Sequence, residues 1–595
     1  VNARAAPGPV GATHERALDP HAPRDLLVHG AEIVDVITAS TYRGWFTVQG
    51  GRFVEVEAGE PPAGEALAVR ARVDLGGATV QPGLIDVHMH IESSLVTPRR
   101  FAEAVLPHGT TTVLQDPHEI GNVLGAPGIR WMVHAAQGLP LRVLSAIPSC
   151  IPATSADIET PNAGIRPDEV LALAREPGVV ALGEMMDFQG VLDGDPQRLA
   201  VLRAGAAAGL SLEGHVPTLT GPALSRYVAH GIRSDHTLMT PAKLREQLRK
   251  GLWVMLQEKS LTPDVIAAVN ALPDRSRVLL ITDDVMPNRL TGGHLSHVVA
   301  TAVARGWDPL DAAAAASLRP ATYLGLRDLG AIAPGQHADY LVGERLNAFP
   351  PRQVVRAGAV VAEAGRAAPI AAETPADPLL ATGFGVHEVP AERLALPTGR
   401  GRRTVRARVI VVNEVNSFTR LEERDVEVVD GVPLDTDLAL AVVIPRASLR
   451  ATPPAGLDLA VGLVAGLGLQ RGGWASSFAH DSHNVFVLGR APDAMASALR
   501  AVLAAAGGMA FASDTSAVRL VPLPLAGLLS DEPIATVAEA FDALEQAVRE
   551  AGATVKHPIL LLTLLPLTVS PDWKLSDKGV VDVAGRRVLA PLIEA

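Results

Sequence analysis

Two histidines one residue apart, His88 and His90, close the apolar run Pro82-Gly83-Leu84-Ile85-Asp86-Val87 and lead into Ile91-Glu92-Ser93-Ser94. On a strand alternate side chains share a face, so both imidazoles aim at one point at the end of a buried strand. Neutral imidazoles converging in this way suit a divalent transition metal such as zinc, iron or manganese. A chance surface pair or a hydrogen-bonded core pair has the same spacing. The remaining polar residues must decide between these readings.

They recur in a regular pattern. Apolar, β-rich runs at 80–88, 111–115, 141–147, 179–184, 210–213, 232–235, 252–256 and 278–282 alternate with amphipathic stretches such as 99–107, 196–208, 221–230 and 242–250. Eight β/α alternations between residues 80 and 325 predict an α/β fold built on a metal-dependent (β/α)8 barrel. The rival, an open doubly wound sheet, usually carries a Gly-rich dinucleotide turn, and the sequence has neither that turn nor a P-loop. Asp116-Pro117-His118-Glu119 ends the second run, Gly183-Glu184 the fourth and Glu213-Gly214-His215 the fifth. Asp235-His236 ends the sixth, Gln257-Glu258 the seventh and Thr282-Asp283-Asp284 the eighth. Strand ends of this kind line the catalytic face of such barrels, and their repetition favours a metal centre over isolated satisfied polar groups.

Four histidines and two carboxylates exceed what one tetrahedral site uses, and a bridging carboxylate holds two cations together. No lysine precedes Lys243, so a carboxylated lysine on the fourth strand is excluded. Glu184 is the candidate bridge; its alternative is a salt-bridged glutamate at the barrel rim.

The composition sets wider limits. At 595 residues the chain exceeds one ordinary core, and 48% apolar with 19% charged residues is a globular balance. A net charge of −12 without a basic cluster argues against nucleic acid and anionic membrane as partners. No apolar stretch reaches spanning length; the best, 559–569, is broken by Pro566. The single cysteine, Cys150, excludes internal disulfides and Cys-rich zinc sites and fits a reducing cytoplasm. Residues 1–23 lack an apolar signal core and read as a poorly ordered leader.

Taken together, the motifs PGLIDVHMHIESS (82–94), DPHEIGNVLG (116–125), GEMMDFQGV (183–191), EGH (213–215), SDH (234–236) and TDD (282–284) resemble the bacterial adenine deaminase family of the amidohydrolase superfamily. Far downstream, Ser477-Phe478-Ala479-His480-Asp481-Ser482-His483-Asn484 is similar to a signature that few other amidohydrolases carry. The resemblance runs from about residue 24 to the end. It implies metal ligands at His88, His90, Glu184, His215, His236 and Asp283, with a binuclear Mn(II) or Fe(II) centre and Zn(II) admissible. It also implies a small β-sandwich from residues 24–80 and 326–366, flanking a barrel over 81–325. A Pro/Ala-rich linker is expected at 367–379 and a C-terminal α/β domain at 380–595, with a strand at 405–412 and a helix at 493–506. Two departures touch loops near the site: Asp187 stands where asparagine is expected, and Gln257-Glu258-Lys259-Ser260 replaces an Arg-Glu-Gly-Ser type turn.

The implied reaction is hydrolytic deamination of adenine to hypoxanthine and ammonia by a metal-bound hydroxide, as part of purine salvage. Asp283 would take the proton from hydroxide and pass it toward the departing ammonia. Glu92, Ser93, His118 and Glu119 would face the purine, or orient a ligand from behind it. His480, Asp481 and His483 would close the mouth over the substrate, form a further metal site or cap a local turn. Alternatives are a cyclic-amide hydrolase or deacetylase on the same barrel, and a non-catalytic metal-binding scaffold. A cytoplasmic homo-oligomer, a dimer, is expected.

Overall fold

The computed structural model describes residues 23–593 apart from 63–66, 372–373, 375, 382, 386–387, 414–417, 451–456 and 516. The leader expected over 1–23 lies, up to residue 22, outside the described residues, as does part of the expected linker.

Eight short buried strands, most of them rich in Val, Ile and Leu, carry the site. They are β1 (Leu84–Met89), β2 (Thr110–Gln115), β3 (Arg142–Ile147), β4 (Val179–Met185), β5 (Ser211–Gly214), β6 (Ser234–Asp235), β7 (Trp253–Leu256) and β8 (Val278–Leu280). β1 to β5 pair in sequence order into one parallel sheet, and β6 to β8 into another. Backbone contacts join the two sheets at both ends. The Arg233 N–H donates to the Leu212 carbonyl at 2.9 Å between β5 and β6. Met89 bridges Asp283 in parallel register, and the Asp283 N–H donates to the His88 carbonyl at 3.2 Å. The helices Pro98–Val105, Pro196–Ala207, Gly221–Ala229 and Pro241–Arg249 each carry a proline in the first turn, where no intrahelical N–H bond is lost.

The first expected strand, 80–88, is in fact two. Thr79–Pro82 belongs to a flanking sheet, the Gly83 N–H donates to the Asp339 carbonyl at 3.0 Å, and β1 begins at Leu84. Gly83 permits this crossing, since a Cβ there would lie 2.4 Å from the Thr111 hydroxyl oxygen. The flanking sheet has nine strands drawn from both sides of the parallel-strand region, with Thr79–Pro82 antiparallel to Tyr340–Gly343. Phe46, Phe53 and Tyr340 pack inside it, two of the three ring pairs edge-on at 5.2 Å.

From Arg402 a ten-stranded, mostly antiparallel sheet follows, with the helix Pro492–Ala504 packed on it. Its strands Gly473–Ser476 and Val485–Gly489 pair antiparallel, and the loop between them, 477–484, leaves the sheet toward the ends of β1 and β2. One apolar cluster runs from Leu95, Val96 and Phe101 through Phe478 and Phe486 to Leu529. The core is therefore continuous between the parallel strands and the C-terminal sheet. Among the described residues no helix is long and apolar enough to cross a membrane.

Candidate active site

The histidines of β1 are oriented from behind. His88 Nδ1 donates to Glu213 Oε2 at 3.1 Å, and Glu213 Oε1 accepts the Tyr323 hydroxyl at 2.8 Å. His90 Nδ1 donates to the Asp116 carbonyl at 2.9 Å. With each Nδ1 committed as a donor, each Nε2 is left bare and faces inward, the arrangement of a metal-binding imidazole. His90 Nε2 lies 3.5 Å from both Asp283 Oδ1 and Glu184 Oε1. His88 Nε2 lies 3.8 Å from Asp283 Oδ1 and 4.0 Å from Glu184 Oε1.

Glu184 presents its other oxygen to different partners: Oε2 is 2.5 Å from His215 Nδ1 and 3.1 Å from His236 Nε2. Its backbone N–H donates to Asp116 Oδ2 at 3.0 Å, which fixes the end of β4 against the end of β2. Asp283 has φ +64, a left-handed conformation that aspartate tolerates better than most residues. Burial raises both carboxyls, but the histidines win: His90 and His236 hold Asp283 below the usual range, and His236 and His215 do so for Glu184.

This donor set fits a divalent cation. His88 Nε2 is buried with no hydrogen-bond partner, a costly state that a bound ion would relieve. Nitrogen and carboxylate oxygens at metal bonds of about 2.1 Å stand roughly 3.4 Å apart around a tetrahedral ion, close to the 3.5 Å spacings at His90.

A second buried group lies beside the first. Ile91–Ser94 forms a 3-10 turn directly after His90, and Glu92 within it is wholly buried. Glu92 Oε1 accepts the Ile120 N–H at 3.4 Å, while Oε2 has no partner; burial and then the Glu119 charge push its carboxyl up to about 8. Ser93 Oγ donates to Asp284 Oδ1 at 2.5 Å. His118 spans the two groups, with Nδ1 3.8 Å from Glu184 Oε1 and Nε2 3.3 Å from Glu119 Oε1.

Loop 477–484 meets Glu119 from the opposite side. His483 Nδ1 accepts the Ala479 N–H at 3.0 Å, so the ring proton sits on Nε2 and is donated to Glu119 Oε2 at 2.5 Å. His480 Nδ1 is 2.9 Å from Glu119 Oε1 without the angle of a hydrogen bond, and 3.7 Å from Asp481 Oδ1. Against the effect of burial, His480, His118 and His483 hold Glu119 well below the usual carboxylate range, whereas burial pushes Asp481 up to about 7. Donor atoms of His118, Glu119, His480 and Asp481 all lie within 4.8 Å of one another. Such a group would serve a cation or the polar edge of a small molecule.

All thirteen residues singled out by the sequence therefore fall into two adjoining clusters. Three contributors had no role assigned to them. Glu213 and Asp116 stand in the quoted strand-end motifs, yet their work is to orient His88, His90 and Glu184. Arg446, which holds loop 477–484, follows an apolar strand and carries no local signal. The departure at Asp187 is occupied: its carboxylate caps the helix Phe188–Asp193 and pairs with Arg198 and Arg586, each at 3.0 Å. Lys259, in the other departure, places Nζ 3.9 Å from Asp283 Oδ2. A cavity of about 230 Å³ lies between Met186, Asp187 and Thr218 on one side and Val569, Pro571 and Arg586 on the other. His215 is the one ligand candidate whose side chain is only part-buried, 27% exposed against 1–11% for the rest.

The sequence matches the amidohydrolase family over residues 79–361 and the adenine deaminase C-terminal domain over residues 416–587. The adenine deaminase of Desulfatibacillum aliphaticivorans is 37% identical over 569 residues, covering 94% of this chain and 96% of that protein. Adenine deaminase 2 of Carboxydothermus hydrogenoformans is 36% identical, with 94% of this chain and 96% of that protein covered. Among solved structures, the N-acetyl-D-glucosamine-6-phosphate deacetylase of Mycobacterium smegmatis is 21% identical over 57% of this chain and 100% of its own, with a TM-score of 0.43.

Proposed function

Starting from a chain that belongs to the adenine deaminase family of the amidohydrolases, we propose the following reading of its site. The protein deaminates adenine hydrolytically to hypoxanthine and ammonia. It depends on a divalent metal pair, Mn(II) or Fe(II) with Zn(II) admissible. His88, His90 and Asp283 would hold one ion and His215 and His236 the other, with Glu184 shared between them. The observation that carries this reading is the division of Glu184, whose Oε1 faces the β1 histidines while Oε2 faces His215 and His236. When bound, the pair would acidify a water toward neutrality and polarise the carbon under attack.

The chain's own residues supply the rest. Asp283, whose Oδ1 faces both β1 histidines, takes a proton at its other carboxylate oxygen and returns it to the departing nitrogen. Glu92, with a bare Oε2, and the His118–Glu119 pair meet the ring nitrogens, with Ser93, His480, Asp481 and His483 behind them. The buried C-terminal loop excludes water from that edge.

The eight strands are read as a closed (β/α)8 barrel, supported by the backbone contacts at both ends of the two parallel sheets. Around it we place the β-sandwich of 24–80 and 326–366, the linker of 367–379 and the C-terminal α/β domain of 380–595. A cytoplasmic dimer, acting on a small molecule and on neither nucleic acid nor membrane, completes the reading; the buried, unpaired Cys150 suits a reducing compartment. Ammonia release by the metal-reconstituted protein against a panel of nucleobases and nucleosides tests it. Turnover of adenine with adenosine poor is expected, and activity on guanine or cytosine without adenine would overturn the substrate.

A further inference from the structure

Arg446 lies at the start of the short helix Arg446–Arg450, wholly buried, and no carboxylate among the described residues pairs with it. Its guanidinium is held entirely by carbonyls. Nε donates to the His483 carbonyl, Nη2 to the Ser477 carbonyl at 2.5 Å and Nη1 to the Ala526 carbonyl at 3.0 Å. Its backbone N–H donates to Asn484 Oδ1 at 3.1 Å, and its guanidinium carbon lies 5.7 Å from the centre of the Phe384 ring. The seat is tight. A Cβ on Gly527, which has φ +70, would come within 2.9 Å of Nη1.

Ser477 and His483 stand at the two ends of the loop that reaches Glu119. One planar fork bonded to both carbonyls pins the loop into a closed ring, which a point charge could do only in part. Within that ring His483 has φ +52, a conformation that a histidine keeps only when its surroundings enforce it. His483 is held there by Arg446 at its carbonyl and by Ala479, whose carbonyl accepts the His483 N–H at 2.9 Å and whose N–H fills Nδ1 at 3.0 Å. The outcome is a single tautomer with its Nε2 proton aimed at Glu119. A buried cation without a counter-ion is expensive to keep, and a methionine would fill the same space. A methionine would leave the Ser477, His483 and Ala526 carbonyls without this donor.

We propose that Arg446 is a positioning residue for the deamination, acting through the 477–484 loop to hold His483 on Glu119. The proposal rests on the reading of the site given above, and wild-type turnover of adenine in the same assay tests that reading separately.

The experiment measures kcat, KM and metal content for R446M, R446K, H483A and the double variant R446M/H483A in the full-length, metal-loaded protein. R446M is expected to keep its metal and to lose about 10- to 100-fold in kcat/KM, mostly in kcat. R446K is expected to recover part of that loss. In the H483A background the R446M change should shrink to within about twofold, because the group it positions is gone. R446M with wild-type kcat/KM, or the same loss with and without His483, would overturn the proposal. If R446M does not fold, the comparison is read on R446K and on G527A, which presses a methyl group against Nη1; unimpaired turnover in both would be equally fatal.

Discussion

At Glu184 two carboxylate oxygens face five histidines, Oε1 towards His88, His90 and His118 and Oε2 towards His215 and His236. Glu184→Gln removes the charge while keeping the shape. Metal content and activity should then fall together, by at least about 10- to 100-fold, as read by elemental analysis and ammonia release. Full metal occupancy with ordinary turnover would rule the bridge out. Asp283 is the second test. Its neighbour Asp284 is already engaged by the Ser93 hydroxyl at 2.5 Å, which leaves Asp283 as the carboxylate facing the histidines. Asp283→Asn should depress kcat by more than the roughly 10²–10⁴-fold typical of acid–base help alone, because a ligand is weakened as well. A loss under about tenfold would move the role to Asp284.

Between elements, the tightest constraint joins β2 to β4. Asp116 accepts the Glu184 N–H at Oδ2 and the His90 Nδ1 proton at its carbonyl, and it fits because residue 183 is a glycine. A Cβ at Gly183 would lie 2.0 Å from Asp116 Oδ2. Gly183→Ala should therefore cost about 1–3 kcal/mol of stability and also lower metal content, although alanine suits a strand as well as glycine does. Unchanged metal content in that variant would mean that Asp116 does not position the ligands. The same elements indicate what the sequence can disclose. Most of the eight strands were legible because they are short β-rich runs followed by polar residues, although the sixth is reduced to Ser234–Asp235 and the third ends in Ile147. The break at Gly83 was not, since residues 80–88 read as one continuous β-rich run and only the distant partner strand Tyr340–Gly343 separates Thr79–Pro82 from β1. Glu213 and Asp116 were visible at strand ends, but a hydrogen bond such as that between His88 and Glu213, 125 residues apart, leaves no local trace. Arg446 reads in the sequence as an ordinary arginine after a strand. Only tertiary packing buries it and makes it the clasp of the loop.

At the scale of the whole molecule, the C-terminal sheet is built onto the parallel strands rather than tethered to them. Leu95, Val96 and Phe101 are fully buried in the same apolar cluster as Phe478, Phe486 and Leu529. Polar contacts surround that core. The Ser530 N–H donates to the Leu95 carbonyl at 2.8 Å, Asn162 Nδ2 to the Ser482 carbonyl at 2.6 Å, and the Thr160 hydroxyl to Asp577 Oδ2 at 2.5 Å. A chain ending near residue 370 would expose the Leu95–Phe101 surface and strip His480 and His483 from Glu119, leaving a buried carboxylate short of partners. Such a chain is therefore expected to aggregate or to lose its metal, not to persist as a quiet half-enzyme. The intact protein should instead unfold as one cooperative unit. Calorimetry of the metal-loaded chain is expected to give a single transition, with tryptophan fluorescence and loss of ammonia release following the same midpoint, because the core that supports the metal ligands is the core that supports the loop. Two resolved transitions, with activity lost in the first and metal retained until the second, would show that the two parts stand independently and that the loop's hold on Glu119 is made by the active site alone.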